Sequence, residues 1–248
     1  MDTDKKPPQR TENASMPKSD TTSNTCLRCG TCCEKGGPCF HLEDRMLIEK
    51  GKIPSKYLYT LRRGEQAYDN VKGCLVPVAS DIIKIKGQKN KWTCVFFDEK
   101  KKACSIYNDR PVECRALKCW DTDALEQIYG RNRLTRKDFI SQVKGLWDLI
   151  EDHQARCDYE KIKNLIKDLD GRKKDGAQRK LLEIIRYRYD TEVRKLVVAQ
   201  GGLDPAMLDF LFGRPLTKTL QNYGIKVRQE GKKTFIHLLL HPRQNGRI

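Results

Sequence analysis

The first 25 residues, MDTDKKPPQRTENASMPKSDTTSNT, contain no apolar run of the kind a signal peptide needs, and no later stretch is long and apolar enough to span a membrane. The expected location is the cytoplasm, where thiols stay reduced. Histidine is scarce. Of four, only His41 lies near a run of cysteines, while His153, His237 and His241 have no partner at metal-ligand spacing. That weighs against a Cys/His nucleophile. No glycine-rich strand-turn-helix loop is present for a nucleotide-like cofactor, since Gly201-Gly202 reads as a helix end. Apolar residues make up only 38% of the 248 and charged ones 33%. Burial is therefore modest, and bound metal can supply part of the folding energy.

What the chain has in quantity is cysteine: eleven, ten of them within the first 119 positions, with Cys157 alone beyond. A disulfide framework would explain such density in a small secreted domain, but not in a reducing compartment. Metal ligation remains. The first cluster, CLRCGTCC, places Cys26, Cys29, Cys32 and Cys33 in the spacing C-x2-C-x2-C-C. Two residues between cysteines let both sulfurs converge on one metal while backbone amides point at them. Gly30 suits the tight point of that loop because it adopts positive φ without strain. Adjacent side chains diverge in an extended chain, so Cys32 and Cys33 are expected to serve two sites or a polynuclear cluster rather than one ion.

The second cluster, WTCVFFDEKKKACSIYNDRPVECRALKCW, carries Cys94, Cys104, Cys114 and Cys119. Pro111 reads as the first residue of a short helix, putting Cys114 in a first turn that favours a thiolate, with Arg110, Arg115 and Lys118 adding positive charge. The eight thiols suffice for two four-cysteine sites or for a cluster plus a separate ion. Trp92, Phe96, Phe97, Tyr107 and Trp120, interspersed among them, either shield a site or fill a core. Cys39 and His41 form a C-x-H pair with ligand potential. Cys74, in an apolar setting, reads as a ligand or as a small buried hydrophobe, and Cys157, with no second ligand beside it, more readily as the latter.

CLRCGTCC followed by CSIYNDRPVECR resembles the YkgJ-like cysteine-cluster family, described as zinc- or iron-chelating proteins with a CxxCxxCC motif. The resemblance rests on Cys26, Cys29, Cys32, Cys33, Cys94, Cys104, Ile106-Tyr107, Arg110-Pro111 and Cys114-Arg115, and implies that these seven cysteines, with Cys119, are the metal ligands. The CW ending at Cys119 departs from the more usual aromatic-proline ending. Flagellin lysine methylases carry the same cysteine motif, so a cluster-dependent protein-modifying enzyme stands as an alternative function. The leading expectation is a metal-binding protein holding an iron-sulfur cluster in preference to Zn(2+), because C-x2-C-x2-C-C suits a compact cluster. A third reading, an adaptor with structural zinc, draws on the net charge of +16. Such a basic surface can meet nucleic acid or an acidic protein, although the bases are interleaved with acids along the whole chain.

Three segments are expected: a disordered tail over 1–24, rich in Pro, Ser, Thr and Lys; a metal-organised cysteine domain over 25–120; and a mainly helical extension over 121–248 ending in a β-hairpin. The fold class is α+β. In the middle segment CLVPVASDIIKIKG and WTCVFF read as strands or buried loops. Thr135 and Asp138 resemble a capping box before a helix bearing Phe139, Val143, Leu146, Trp147 and Ile150 on one face. A second helix starts near Asp158 and stops at Gly171, and a third runs from about Ala177 to Gln200. Asp204-Pro205 begins a short helix to Phe212, and GIKVRQ and TFIHLLL form the closing hairpin.

Overall fold

The computed structural model describes residues 26, 29–89, 91–169, 174–184, 189–230 and 233–238. The expected tail over 1–24 and the expected stop at Gly171 lie outside them. Helices and small antiparallel sheets give an α+β fold. Its centre is a two-stranded sheet in which β1 (Leu58–Leu61) pairs with β4 (Ile82–Ile85), Leu58 opposite Ile85. Both strands are buried along their whole length, so the sheet is covered on both faces. A second hairpin joins β2 (Gln66–Asp69) to β3 (Cys74–Pro77).

Part of the cover comes from far along the chain. Helix α10 (Leu208–Phe212) packs on β1, and the Thr60 hydroxyl donates to the Phe210 carbonyl at 2.6 Å, which satisfies a buried polar group. Phe40, Leu58, Ile83, Ile85, Cys94 and Phe97 share one core with Ile150, Val193, Val197 and Phe210, Leu211 and Phe212. Residues on either side of position 120 thus bury one another.

The helix expected from Thr135 divides in two. Asp138 does accept from the Thr135 amide and hydroxyl, at 2.7 and 2.8 Å. The segment nevertheless forms α5 (Lys137–Ile140) and, after a break at 141–143, α6 (Lys144–Arg156). Val143 adopts a non-helical conformation before α6 and is exposed, whereas Phe139, Leu146 and Trp147 reach the core and Ile150 lies in it. The expected second helix is present as α7 (Tyr159–Asp168), its first amides at Glu160 and Lys161 capped by Asp158. The expected third is likewise two, α8 (Lys174–Leu182) and α9 (Asp190–Ala199). Asp204 caps the turn before α10 by accepting from the Ala206 amide, and the closing hairpin pairs β7 (Ile225–Glu230) with β8 (Lys233–Leu238).

Buried ion pairs fasten the late elements to the early sheet. Arg136 pairs with Asp81 at 2.6 Å and donates to the Leu211 carbonyl, and Arg214 pairs with Glu65. Asp190 accepts from Arg194 at 2.8 Å and from His153 at 3.1 Å. Burial holds His153 down, to about 4, against the pull of Asp190 and with help from Arg62. Below about pH 6.5 the unfolded chain therefore takes up a proton that the folded chain refuses. Stability should fall as pH drops from 6.5 toward 4, by about 3 kcal/mol in the limit. Asp190, held low, adds its loss only as pH falls below the ordinary carboxylate range. Urea titrations across that range test this, and a His153→Gln variant should show a flatter profile between pH 6.5 and 4.

Candidate metal centre

The CLRCGTCC segment turns at Gly30, whose φ of 86° is the left-handed conformation expected there, and continues as α1 (Thr31–Glu34). A Cβ on residue 30 would lie 2.1 Å from Phe97 Cζ, so the turn also needs glycine in order to pack against the second cluster. Gly30→Ala should cost at least about 1 kcal/mol from backbone strain alone and push α1 away from Phe97. Thermal denaturation together with chelator-induced metal release checks both effects.

Because Cys32 and Cys33 lie on a helix, their side chains are separated by about 100° rather than by the alternation of a strand. On this short helix the two thiols lie close enough to interact, so they do not point to opposite faces as they would in an extended chain. The Cys33 thiol and burial of Cys32 act in opposite directions, and the net effect holds Cys32 low, with Arg110 contributing, while Cys33 is pushed up.

The second cluster is bound to the first by backbone. The Cys94 amide donates to the Cys33 carbonyl at 2.8 Å. Strands β5 (Phe97–Asp98) and β6 (Ala103–Cys104) pair, setting Cys104 opposite Phe97. Cys114 sits in the first turn of α3 (Val112–Ala116), as expected, although Pro111, expected as its first residue, is the non-helical N-cap before it. Burial, then Cys94, Cys32 and Cys104, push its thiol up. Burial likewise raises Cys94, to about 11, with Cys104 and Cys32 adding to it, and raises Cys104, which also feels Cys32. Cys33 feels Cys94 and Cys114, and Cys29 feels Cys32.

Six thiols, those of Cys29, Cys32, Cys33, Cys94, Cys104 and Cys114, therefore interact electrostatically across three chain segments. Cys26 and Cys119 are exposed, as are Cys29 and Cys32. Cys74 is exposed on β3, and Cys157 is buried in a second core with Tyr159 and Ile162. None of the eleven cysteines is in a disulfide. Among the described residues no three His, Cys, Asp or Glu side chains stand ready-made around a metal position. The donor chemistry fits a soft cation all the same. Thiols that raise one another's pKa resist ionising together until a positive charge replaces their protons.

Of the expected cations, Arg110 faces the thiols, lowering Cys32 and Cys104, while its guanidinium stacks on Tyr107 at 3.6 Å. Arg115 is turned toward the Arg110 carbonyl and Asp44. Phe96 and Phe97 pack with the core, whereas Trp92 and Trp120 are 43% and 46% exposed.

The C-x-H pair is held in hydrogen bonds. Lys84 donates to Cys39 Sγ at 3.4 Å, and both groups are buried. His41 is tied at both ring nitrogens, Nδ1 donating to the Arg131 carbonyl at 2.7 Å and Nε2 to Glu113 at 3.1 Å. Each nitrogen faces an acceptor, so both carry protons. Burial alone would lower the His41 pKa, but Glu113 overrides it and raises it. Glu113, Asp44 and Lys84 were missed in the sequence. An acidic residue in the first turn after Pro111 is an ordinary helix-start feature, and nothing in the sequence links it to a histidine 72 positions earlier.

No curated protein and no solved structure matches the chain. The segment that carries the thiols, residues 25–131, matches the model of the CxxCxxCC family, described as a "putative zinc- or iron-chelating domain".

Proposed function

We propose that this chain is a metal-binding protein whose thiols hold an iron-sulfur cluster rather than a single zinc ion. The observation that carries this reading is the set of six interacting thiols, with the adjacent Cys32 and Cys33 both included. A single tetrahedral zinc takes four ligands, whereas a polynuclear centre can use neighbouring cysteines on one short helix. Cys29, Cys32, Cys33, Cys94, Cys104 and Cys114 are the ligands favoured by position. Cys26 and Cys119, at the ends of the two motifs, complete the eight implied by the family resemblance. A centre of this kind, with every cysteine unpaired, suits a reducing compartment and accords with a cytoplasmic location. The cysteine region, residues 25–120, is then the part that metal organises.

Anaerobic purification of the full chain, followed by analysis of iron, acid-labile sulfide and zinc and by visible absorption, tests the reading. Iron and sulfide with a thiolate-to-iron absorption are expected. Colourless protein carrying zinc would turn the assignment to a zinc site, and colourless protein carrying neither metal would remove the metal-binding function.

A further inference from the structure

We propose that Glu113 is the positioning residue for Cys114, setting where that sulfur stands relative to Cys32 and Cys94; this rests on the reading of Cys114 as a metal ligand. The two residues are neighbours on α3, so their side chains leave the helix about 100° apart. Cys114 is left on a different side of the helix from Glu113, which turns to the segment around Cys39. There its Oε2 accepts from the Cys39 amide at 2.6 Å and its Oε1 from His41 Nε2 at 3.1 Å. Asp44 completes the bracket, accepting from the Val112 amide at 2.8 Å and from the His41 amide at 3.1 Å.

The first turn of α3 is thereby held on two consecutive residues, Val112 and Glu113. What holds it is itself fixed: the Phe40 amide donates to Ile83 of β4, the Leu134 amide donates to Phe40, and His41 is anchored on the Arg131 carbonyl. A five-residue helix has no stability of its own. Its place, and with it the place of Cys114, comes from these bonds. His41, a ligand candidate from its spacing, supports the carboxylate that supports the helix. Groups that orient ligands are commonly worth 10- to 100-fold in metal affinity.

The test uses the full chain as wild type, Glu113→Ala, Glu113→Gln, Cys114→Ser and the double variant Glu113→Ala/Cys114→Ser. Each is reconstituted anaerobically with ferrous iron and sulfide, loaded in parallel with Co(II), and titrated with EDTA while thiolate-to-metal absorption is followed. Glu113→Ala should release metal at an EDTA concentration about 10- to 100-fold lower and lose part of that absorption. Glu113→Gln, which loses the carboxylate charge and can keep both contacts only if His41 is neutral and accepts from the new amide, should show a smaller loss in the same direction. If Glu113→Ala is unfolded by circular dichroism, the Gln variant decides. The double variant should be no weaker than Cys114→Ser, because Glu113 acts through that sulfur. Wild-type release by folded Glu113 variants, or a double variant weaker by the full factor of both single changes, overturns the proposal while leaving the metal centre intact. A wild type that holds neither metal overturns both.

Discussion

Cys32→Ser should lower metal affinity by more than about 100-fold, exceeding the typical loss for a group that only orients a ligand. Cys32 is the thiol that appears in the surroundings of Cys29, Cys33, Cys94, Cys104 and Cys114 alike, so it interacts with each of the other five. Serine is close in size but a poor ligand for soft metals, and it tests coordination more than packing. The loss should also appear as stability. Wild type equilibrated with metal at 100 times its Kd gains about 2.7 kcal/mol over the metal-free protein, and the variant should gain almost nothing at the same concentration. Thermal denaturation with and without metal, alongside metal analysis, makes the measurement. A variant that retains full metal content and the full metal-dependent shift would remove Cys32 from the ligand set.

Phe212→Ala should destabilise the protein by about 3–5 kcal/mol, the usual cost of emptying a buried aromatic site. The ring is fully buried, edge-on to His153 at 5.1 Å and beneath the Arg194 guanidinium. Its position in the core shared with Phe40 and Phe97 makes the second half of the expectation more informative. In a Trp147→Phe background, fluorescence from Trp92 and Trp120 in the cysteine region and the far-ultraviolet helical signal should shift together in urea, with the slope unchanged. Tryptophan signals that stay at the wild-type midpoint while the helical signal moves would show the cysteine region standing on its own.

The turn at Gly30, the cap at Asp158 and the closing hairpin were readable because each is decided within a few residues. Gly30 needs only a permissive φ, Asp158 only the amides two and three positions ahead, and the hairpin only alternation around a turn. The break before Lys144 was not readable, since the same apolar spacing serves one helix or two, and the choice is made by how Phe139 and Ile150 reach a core built elsewhere. Similarly, the cysteine spacing disclosed the chemistry of the site but not its internal arrangement. That Cys32 and Cys33 lie on one helical turn follows from a helix of four residues, too short for any periodicity to reveal. The Glu113–His41 contact and the hold of Thr60 on Phe210 join residues 72 and 150 positions apart, for which local pattern has no signal.

That last separation sets a clock on biosynthesis. The six thiols are all in place once residue 114 has been made, but the cover that α10 lays over β1 must wait for residue 210. At synthesis rates of roughly 5–20 residues per second, the interval is about 5–20 s. During it the thiols belong to a nascent chain whose main core is still open, and the ion pairs through Asp190 and Arg214 do not yet exist. A metal arriving in that window meets ligands before the packing around them is complete, whereas one arriving later meets a finished fold, so the order of metal supply and translation enters the history of each molecule.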